Sequence, residues 1–437
     1  MKFDQAQATD ETKFEAKPHT MLHQITTLGE PGFLSPLNRF VNDDWSVPEQ
    51  IVRGLPATPQ AWEFELAGPR AKLFFNPART RAGIVTCGGL CPGMNNVVRS
   101  LFNELHHAYG VREVLGFRGG YQGLDPARGQ TPIRLTPEFV DNIHRQGGTA
   151  LGTSRGRVDE TAAVENLTRL GVNILFVVGG DGTQRGGNDL FQAARQRGHA
   201  LAVVGIPKTV DNDVAFVSRT FGFLTAVEEA AAVLDRAHVE ARSVQNGIAL
   251  VKVMGRHAGF IAVGATVASQ EVNFCLIPEV PFKLDRFLLA LKQRIARRSH
   301  AVIVVAEGVG QEWLGSADVA RDASGNVKLS DVGTFLRGQI EAYFKAEKMP
   351  IVMRYFDPSY HVRSGPANSE DSILCDLFAR NAVHAAMAGK TGLVIGFLHD
   401  EFIHVPIELL ASRKKSIDPA GPIWRGTLAA TGQPEQL

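Results

Sequence analysis

Three short loops carry residues whose types and spacing suit the handling of phosphate groups. The stretch VVGGDGTQRGG, residues 177–187, sets five glycines around a single carboxylate, Asp181. A phosphate needs close approach of backbone amides, and a carboxylate beside it needs a metal ion to relieve their repulsion. The glycine loop at 179–187 therefore reads as a phosphate site, with Asp181 as the ligand of Mg²⁺. In TCGGLCPGMNN, residues 86–96, Gly88 and Gly89 leave amides exposed, and a helix expected from Met94 offers its N-terminus as an anion site. In IPKTVDNDV, residues 206–214, Asp211 and Asp213 follow Lys208 and Thr209. Phosphoryl transfer to an alcohol needs a base on the acceptor hydroxyl, and one of this pair can supply it. Taken alone, the loop is equally an Asp-Asn-Asp turn capping the next helix.

Two familiar phosphate devices fail. A dinucleotide fingerprint starting at Gly180 and Gly182 needs a third glycine where Arg185 stands. HAAMAGKTG ends like a P-loop, but its first glycine position is His384, inside a helical run.

The elements that must position these loops are strands alternating with helices. AGIVTC precedes MNNVVRSLFNELHHAYG, ILFVVGG precedes NDLFQAARQRG, and LAVVGIP precedes TAVEEAAAVLDRAHVEARS. Apolar, β-branched runs followed by amphipathic helices predict an α/β fold with a parallel sheet, its ligands at the carboxyl ends of the strands. A second series, with GIALVKVMG, HAGFIAVGATVAS and SHAVIVVAEGVG, predicts a second, similar doubly wound Rossmann-like lobe with a cleft between the two. The expected division is an N-terminal extension over 1–80, broken by proline and glycine, and a nucleotide-binding lobe over 81–223 completed by 365–410. A sugar-phosphate-binding lobe over 224–364 and a C-terminal tail over 411–437 complete it.

Composition narrows the partners. With 437 residues, 44% apolar and 21% charged, the chain can bury two cores. A net charge of +1 argues against a nucleic-acid partner. No run approaches the roughly 18 apolar residues of a membrane helix, and Asp4, Asp10 and Glu11 do not suit a secretory signal, so a cytoplasmic location is expected. Cys87 and Cys91 lack a second close pair to make a zinc site, and the four cysteines read as reduced thiols.

Together GGLCPGMNNVVR, GGTALGTSRG, GGDGT, PKTVDND and VMGRHAGFIA, in this order between about Arg81 and His404, resemble the 6-phosphofructokinases. The resemblance implies Asp211 as the base on the C1 hydroxyl of fructose 6-phosphate, with Thr209 and Asp213 positioning sugar and metal water. It implies Asp181 on Mg²⁺, and Gly88, Arg155, Gly156 and the amides of Gly180 to Thr183 around the donor phosphates. Met254, Gly255 and Arg256 line the sugar, Glu307 accepts from its hydroxyls, and Arg354, Arg363 and Tyr360 take its 6-phosphate. Many bacterial relatives carry histidine where Tyr360 stands, and an arginine of an inter-subunit contact where Gly247 stands.

Lys208 is typical of pyrophosphate users, whereas Gly182 is typical of ATP users, since aspartate there opposes an α-phosphate. The combination, with the long extension, resembles the plant and trypanosomatid ATP-dependent branch. The resemblance therefore implies ATP as donor, glycolytic fructose 6-phosphate as acceptor and a homo-oligomer. A pyrophosphate-dependent enzyme and a catalytically silent nucleotide-binding regulatory subunit are the alternatives.

Overall fold

The computed structural model describes residues 21–52, 62–154, 156, 159–314, 329–410 and 412–437. Strands β1 (Arg81–Thr86), β2 (Glu113–Phe117), β3 (Ile133–Arg134), β4 (Ile174–Gly179) and β5 (Ala202–Pro207) belong to a first sheet. Strands β6 (Gly247–Val253), β7 (Phe274–Leu276), β8 (His300–Ala306) and β9 (Val352–Phe356) form a second. The chain then returns to the first sheet with β10 (Leu393–Leu398) and β11 (Glu401–Pro406). The orders are β11-β10-β5-β4-β1-β2-β3 and β7-β8-β6-β9. Every neighbouring pair is parallel except the two at the ends of the first sheet, β10 with β11 and β2 with β3.

The apolar run of β4 is continuous because both of its faces are covered. Leu175 and Val177 pack with Val164 and Leu167 of α2 (Glu160–Arg169) and Leu190 of α3 (Asp181–Gln196). Phe176 and Val178 pack in the larger core with Val97 and Leu101 of α1 (Met94–Asn103) and Phe378 of the long helix Ser369–Met387. Burying each such side chain contributes about 1.5–3 kcal/mol. In the second lobe, α4 (Phe223–Arg242) packs against α5 (Phe260–Ser269), and α6 (Leu284–Arg298) against α7 (Val332–Ala346). The expected α/β architecture of two doubly wound lobes is present.

The described part of the N-terminal extension is built into the first lobe. Trp62–Glu65 pairs with Met21–His23 and Ser46–Pro48, while Thr26–Thr27 pairs with Lys390–Thr391. Glu65 seals the junction: its carboxylate lies 2.6 Å from the Arg70 guanidinium, 2.5 Å from Lys390 Nζ and 3.2 Å from His404 Nδ1.

Adjacent strands β1, β4 and β5 end at Thr86, Gly179 and Pro207, so the three loops singled out above stand side by side. Strands β6 and β8 end at Val253 and Ala306, just before Met254 and Glu307.

Candidate active site

The phosphate turn is the start of a helix. Gly180 is the N-cap of α3 and offers no side-chain cap, so the first amides of the helix, at Asp181 and Gly182, have no side chain to receive them. The Thr183 N–H instead donates to the Gly180 carbonyl at 2.8 Å, which removes it from the expected cradle. The Tyr121 hydroxyl donates to the Thr183 carbonyl and fixes this turn, a role with no signal in the sequence. A Cβ added at Gly182 meets nothing closer than the Arg185 guanidinium at 3.9 Å, so the protein itself leaves that side open.

Two expectations for the first loop are corrected. The Gly88 N–H is not free for a phosphate, because it donates to the Ser154 carbonyl at 3.1 Å. The N-terminus of α1 is buried, with Cys375 Sγ only 2.5 Å from where a Cβ on Gly93 would stand, so it is closed to an anion. Gly88 contributes room and a left-handed turn instead: its φ is +84°, and a Cβ there would lie 3.5 Å from Lys208 Nζ and 3.9 Å from Thr183 Oγ1. All three loops therefore converge at Gly88. Gly156 also adopts a positive φ, +130°, and has open space around it. Arg155 lies outside the described residues.

The third loop is held from within. Thr209 Oγ1 donates to Asp213 Oδ1 at 3.1 Å and accepts the Asp211 N–H at 3.1 Å. Asn212, at a φ of +55°, accepts the Thr220 N–H on its Oδ1 at 3.0 Å. Helix α4 begins only at Phe223, with Gly222 as its N-cap, so the Asp-Asn-Asp turn caps no helix. Asp211 Oδ1 is shut off from solvent and has no hydrogen-bond partner. Burial, then the charges of Asp213 and Glu307, push the Asp211 carboxyl up to about 7 against the backbone N–H and charge of Arg256. Burial and the charge of Asp213 likewise raise Asp181. Lys208 is buried, with its Nζ 2.7 Å from the Gly89 carbonyl, and burial lowers its pKa despite nearby Asp211.

The second lobe adds the opposite wall. Gly255, at a φ of +131°, presses so close to the Ala258 carbonyl that a Cβ would sit 2.6 Å from it, and its own carbonyl accepts the Gly308 N–H at 3.0 Å. That contact ties the turn of Met254 and Arg256 to Glu307. Burial raises the Glu307 carboxyl, and the charges of Arg256, Lys252 and Arg363 oppose this. The Arg363 guanidinium lies 4.7 Å from the ring centre of Tyr360, which is 76% exposed. Lys252, missed in the sequence, is fixed between Asp331 at 3.2 Å and Asp357 at 2.8 Å. Arg354 is not brought to this cleft: on β9 it stands opposite Ala249, four residues before the end of β6 at Val253, and its Nε faces Glu240 of α4 at 3.4 Å.

Among the described residues, no group of three or more His, Cys, Asp or Glu side chains converges to hold a metal unaided. The charge of Asp213 acts on Asp181, and two carboxylates in one cleft suit a hard cation that completes its shell with water and phosphate oxygens.

A doubly wound two-lobed protein with uncapped helix amides and, on an adjoining loop, a carboxylate with one buried oxygen unpartnered belongs to the class that moves phosphoryl groups. The sequence matches the Phosphofructokinase family over residues 81–386, and the chain belongs to that family. It is 46% identical to an ATP-dependent 6-phosphofructokinase of Borreliella burgdorferi over 96% of this chain and 99% of that one. It is 47% identical to an ATP-dependent 6-phosphofructokinase of Trypanosoma brucei brucei over 83% of this chain and 74% of that one. The structure of a pyrophosphate-dependent phosphofructokinase from Marinobacter aquaeolei superposes with a TM-score of 0.68, covering 82% of this chain and 93% of that one. At 20% identity this last likeness bears on the fold alone.

Proposed function

We propose that this chain transfers the terminal phosphoryl group of ATP to the C1 hydroxyl of fructose 6-phosphate, giving fructose 1,6-bisphosphate and ADP in glycolysis. The observation that carries the reading is Asp211, whose buried Oδ1 lacks a partner while the open backbone of Gly182 lies on an adjoining loop. Asp211 takes the hydroxyl proton as the C1 oxygen bonds to phosphorus and the bond from phosphorus to ADP breaks. Thr209 and Asp213 hold its loop still. Arg256 keeps Asp211 ionisable, and Met254 and Gly255 line the sugar beside Glu307, which accepts from its hydroxyls. Arg363 and Tyr360 take the 6-phosphate, and Gly88, Gly156 and the amides of Asp181 and Gly182 surround the donor. Asp181, with Asp213 nearby, would hold Mg²⁺, which would supply neutralisation of the donor's charge.

Lys208 favours a second reading, with pyrophosphate as donor. Its bond to Gly89 gives it a structural duty that does not depend on the donor, and the named relatives use ATP. We further propose a homo-oligomer. Arg354 is exposed and turned from this copy's cleft toward Glu240, which supports a role at the sugar phosphate of a second copy. All four cysteines are free and buried, and no described helix is long and apolar enough to cross a membrane; both observations support a cytoplasmic enzyme.

The test is initial velocity with fructose 6-phosphate and either ATP or pyrophosphate, with and without Mg²⁺. ATP with Mg²⁺ should support turnover and pyrophosphate should not. A preference for pyrophosphate, or no turnover with either donor, overturns the reading.

A further inference from the structure

The C-terminal segment crosses from one lobe to the other over the cleft. After β11 and the single turn Ile407–Leu410 the chain leaves the first sheet, and it ends in the helix Pro422–Thr431, packed on α5 and β7 of the second lobe. Residues 412–417 between them are anchored on both sides of position 414. Arg413 pairs with Glu49 and lies 4.4 Å over the Phe216 ring. Lys415 donates its backbone N–H to the Asp213 carbonyl at 3.2 Å. Its Nζ donates to the carbonyls of Val217 at 2.9 Å and Ser218 at 2.6 Å. The Ile417 N–H donates to Glu279 Oε1 at 3.0 Å, and the same carboxylate receives the Gly259 N–H, three residues beyond Arg256.

Lys414, between these anchors, is exposed. Its charge acts on the Asp181 carboxylate and on the His257 ring, which lie on the two walls of the cleft. A lysine on a free tail loses much side-chain and backbone freedom when it binds an anion. Here the backbone after Lys414 is already fixed, by Lys415 to Asp213 and by Ile417 to Glu279, and the Arg413 side chain holds the chain before it. The donor carries several negative charges and the cleft walls are rich in carboxylates, so an ammonium at this point has an evident ligand.

We propose that Lys414 binds the donor: segment 412–417 spans both lobes and, tied at Lys415 to the Asp213 carbonyl, presents Lys414 beside the carboxylate loop, where it takes phosphate oxygens of the nucleotide. This rests on the reading of the Gly180–Thr183 turn as the donor-phosphate site. Lys414 is a binding residue and moves no proton. Because its contact is with phosphate, its loss weakens ATP and any polyphosphate alike and spares the sugar.

Lys414→Met, Lys414→Arg and Asp181→Asn test this by steady-state kinetics, with inorganic tripolyphosphate as a competitor of ATP. Lys414→Met should raise the KM for ATP and the Ki of tripolyphosphate by about 10–10²-fold, with the KM for fructose 6-phosphate within about 2-fold. Lys414→Arg should restore most of the affinity, because the position needs a cation. The melting temperature should not move, since the anchors lie at Arg413, Lys415 and Ile417. If Asp181→Asn weakens ATP and Lys414→Met changes neither constant by more than about 2-fold, the assignment of Lys414 is overturned while the donor site stands. If neither variant affects ATP, the donor site itself is misplaced. A rise confined to the KM for fructose 6-phosphate also overturns the assignment.

Discussion

Lys208 Nζ and the Gly89 carbonyl are joined by a 2.7 Å hydrogen bond between loops 119 residues apart in the chain. The bond locks the loop of the two carboxylates to the first glycine loop. It also places a buried cation beside Asp211, which favours that carboxyl's ionised form.

Removing that cation should therefore be legible as a pH effect. In Lys208→Met the Asp211 carboxylate loses a favourable charge, its pKa rises, and the acid limb of kcat/KM should move to higher pH than in wild type. The measurement is the pH profile of both proteins. An unshifted limb would mean that Lys208 does not act on the base.

Asp211 itself sets the limb. Its carboxyl is pushed up to about 7 by burial and by Asp213 and Glu307, so a base at this position is lost as pH falls through that value. Activity should drop on the acid side of neutrality. Asp211→Asn should lower kcat by on the order of 10²–10⁴ with KM values within several fold, and should abolish the limb. Near-normal kcat would reject Asp211 as base.

Gly182 distinguishes the donor. Since nothing in the protein crowds a Cβ there, Gly182→Asp should fold normally and act only through what binds beside it. A carboxylate next to a polyphosphate in a poorly solvated cleft should lower kcat/KM for ATP by at least about 10²-fold, or ~2.7 kcal/mol, and leave the KM for fructose 6-phosphate nearly unchanged. Full ATP activity in this variant would show that the glycine does not admit the donor.

Glu65 concerns stability rather than turnover. Burial alone raises its carboxyl, but the hydrogen bond from His404 and the charge of Lys390 hold it well below the usual carboxylate range. Its contribution is present above the ordinary carboxylate pKa and is lost only as acid protonates it. Glu65→Ala leaves two buried cations, Arg70 and Lys390, with only the exposed Asp43 as counter-charge, and should cost about 1–3 kcal/mol by chemical denaturation at neutral pH. A loss below about 1 kcal/mol would mean that the extension is not held by this cluster.

Much of this was legible in the sequence because it depends on neighbours along the chain. Apolar runs such as ILFVVG announce a strand buried on both faces, and glycines at the ends of β1, β4 and β5 announce the loops where ligands sit. What stayed hidden depends on distant partners. No local pattern links Thr26–Thr27 to Lys390–Thr391, or Glu65 to His404. Gly88 looked like an amide donor because its pairing with Ser154 is set by folding. Arg354 looked like a companion of Arg363 because they are near in sequence, whereas strand register turns the one toward Glu240 and the turn after β9 brings the other to the cleft. Lys414 lies in a segment whose local composition has no ligand signature.

The return of the chain to its first sheet has a consequence during synthesis. Strand β5 gains its outer neighbour, β10, only after all four strands of the second sheet have been translated. At about 5–20 residues per second, the stretch from Pro207 to Leu393 keeps the ribosome occupied for roughly 10–40 s. Throughout that interval AVVGIP presents a bare apolar edge to the cell, the kind of surface on which nascent chains stick to one another. A message truncated before the codons for β10 yields a chain with every strand of the second sheet but without the strands that complete the first, or the helix Pro422–Thr431 that packs on the second lobe.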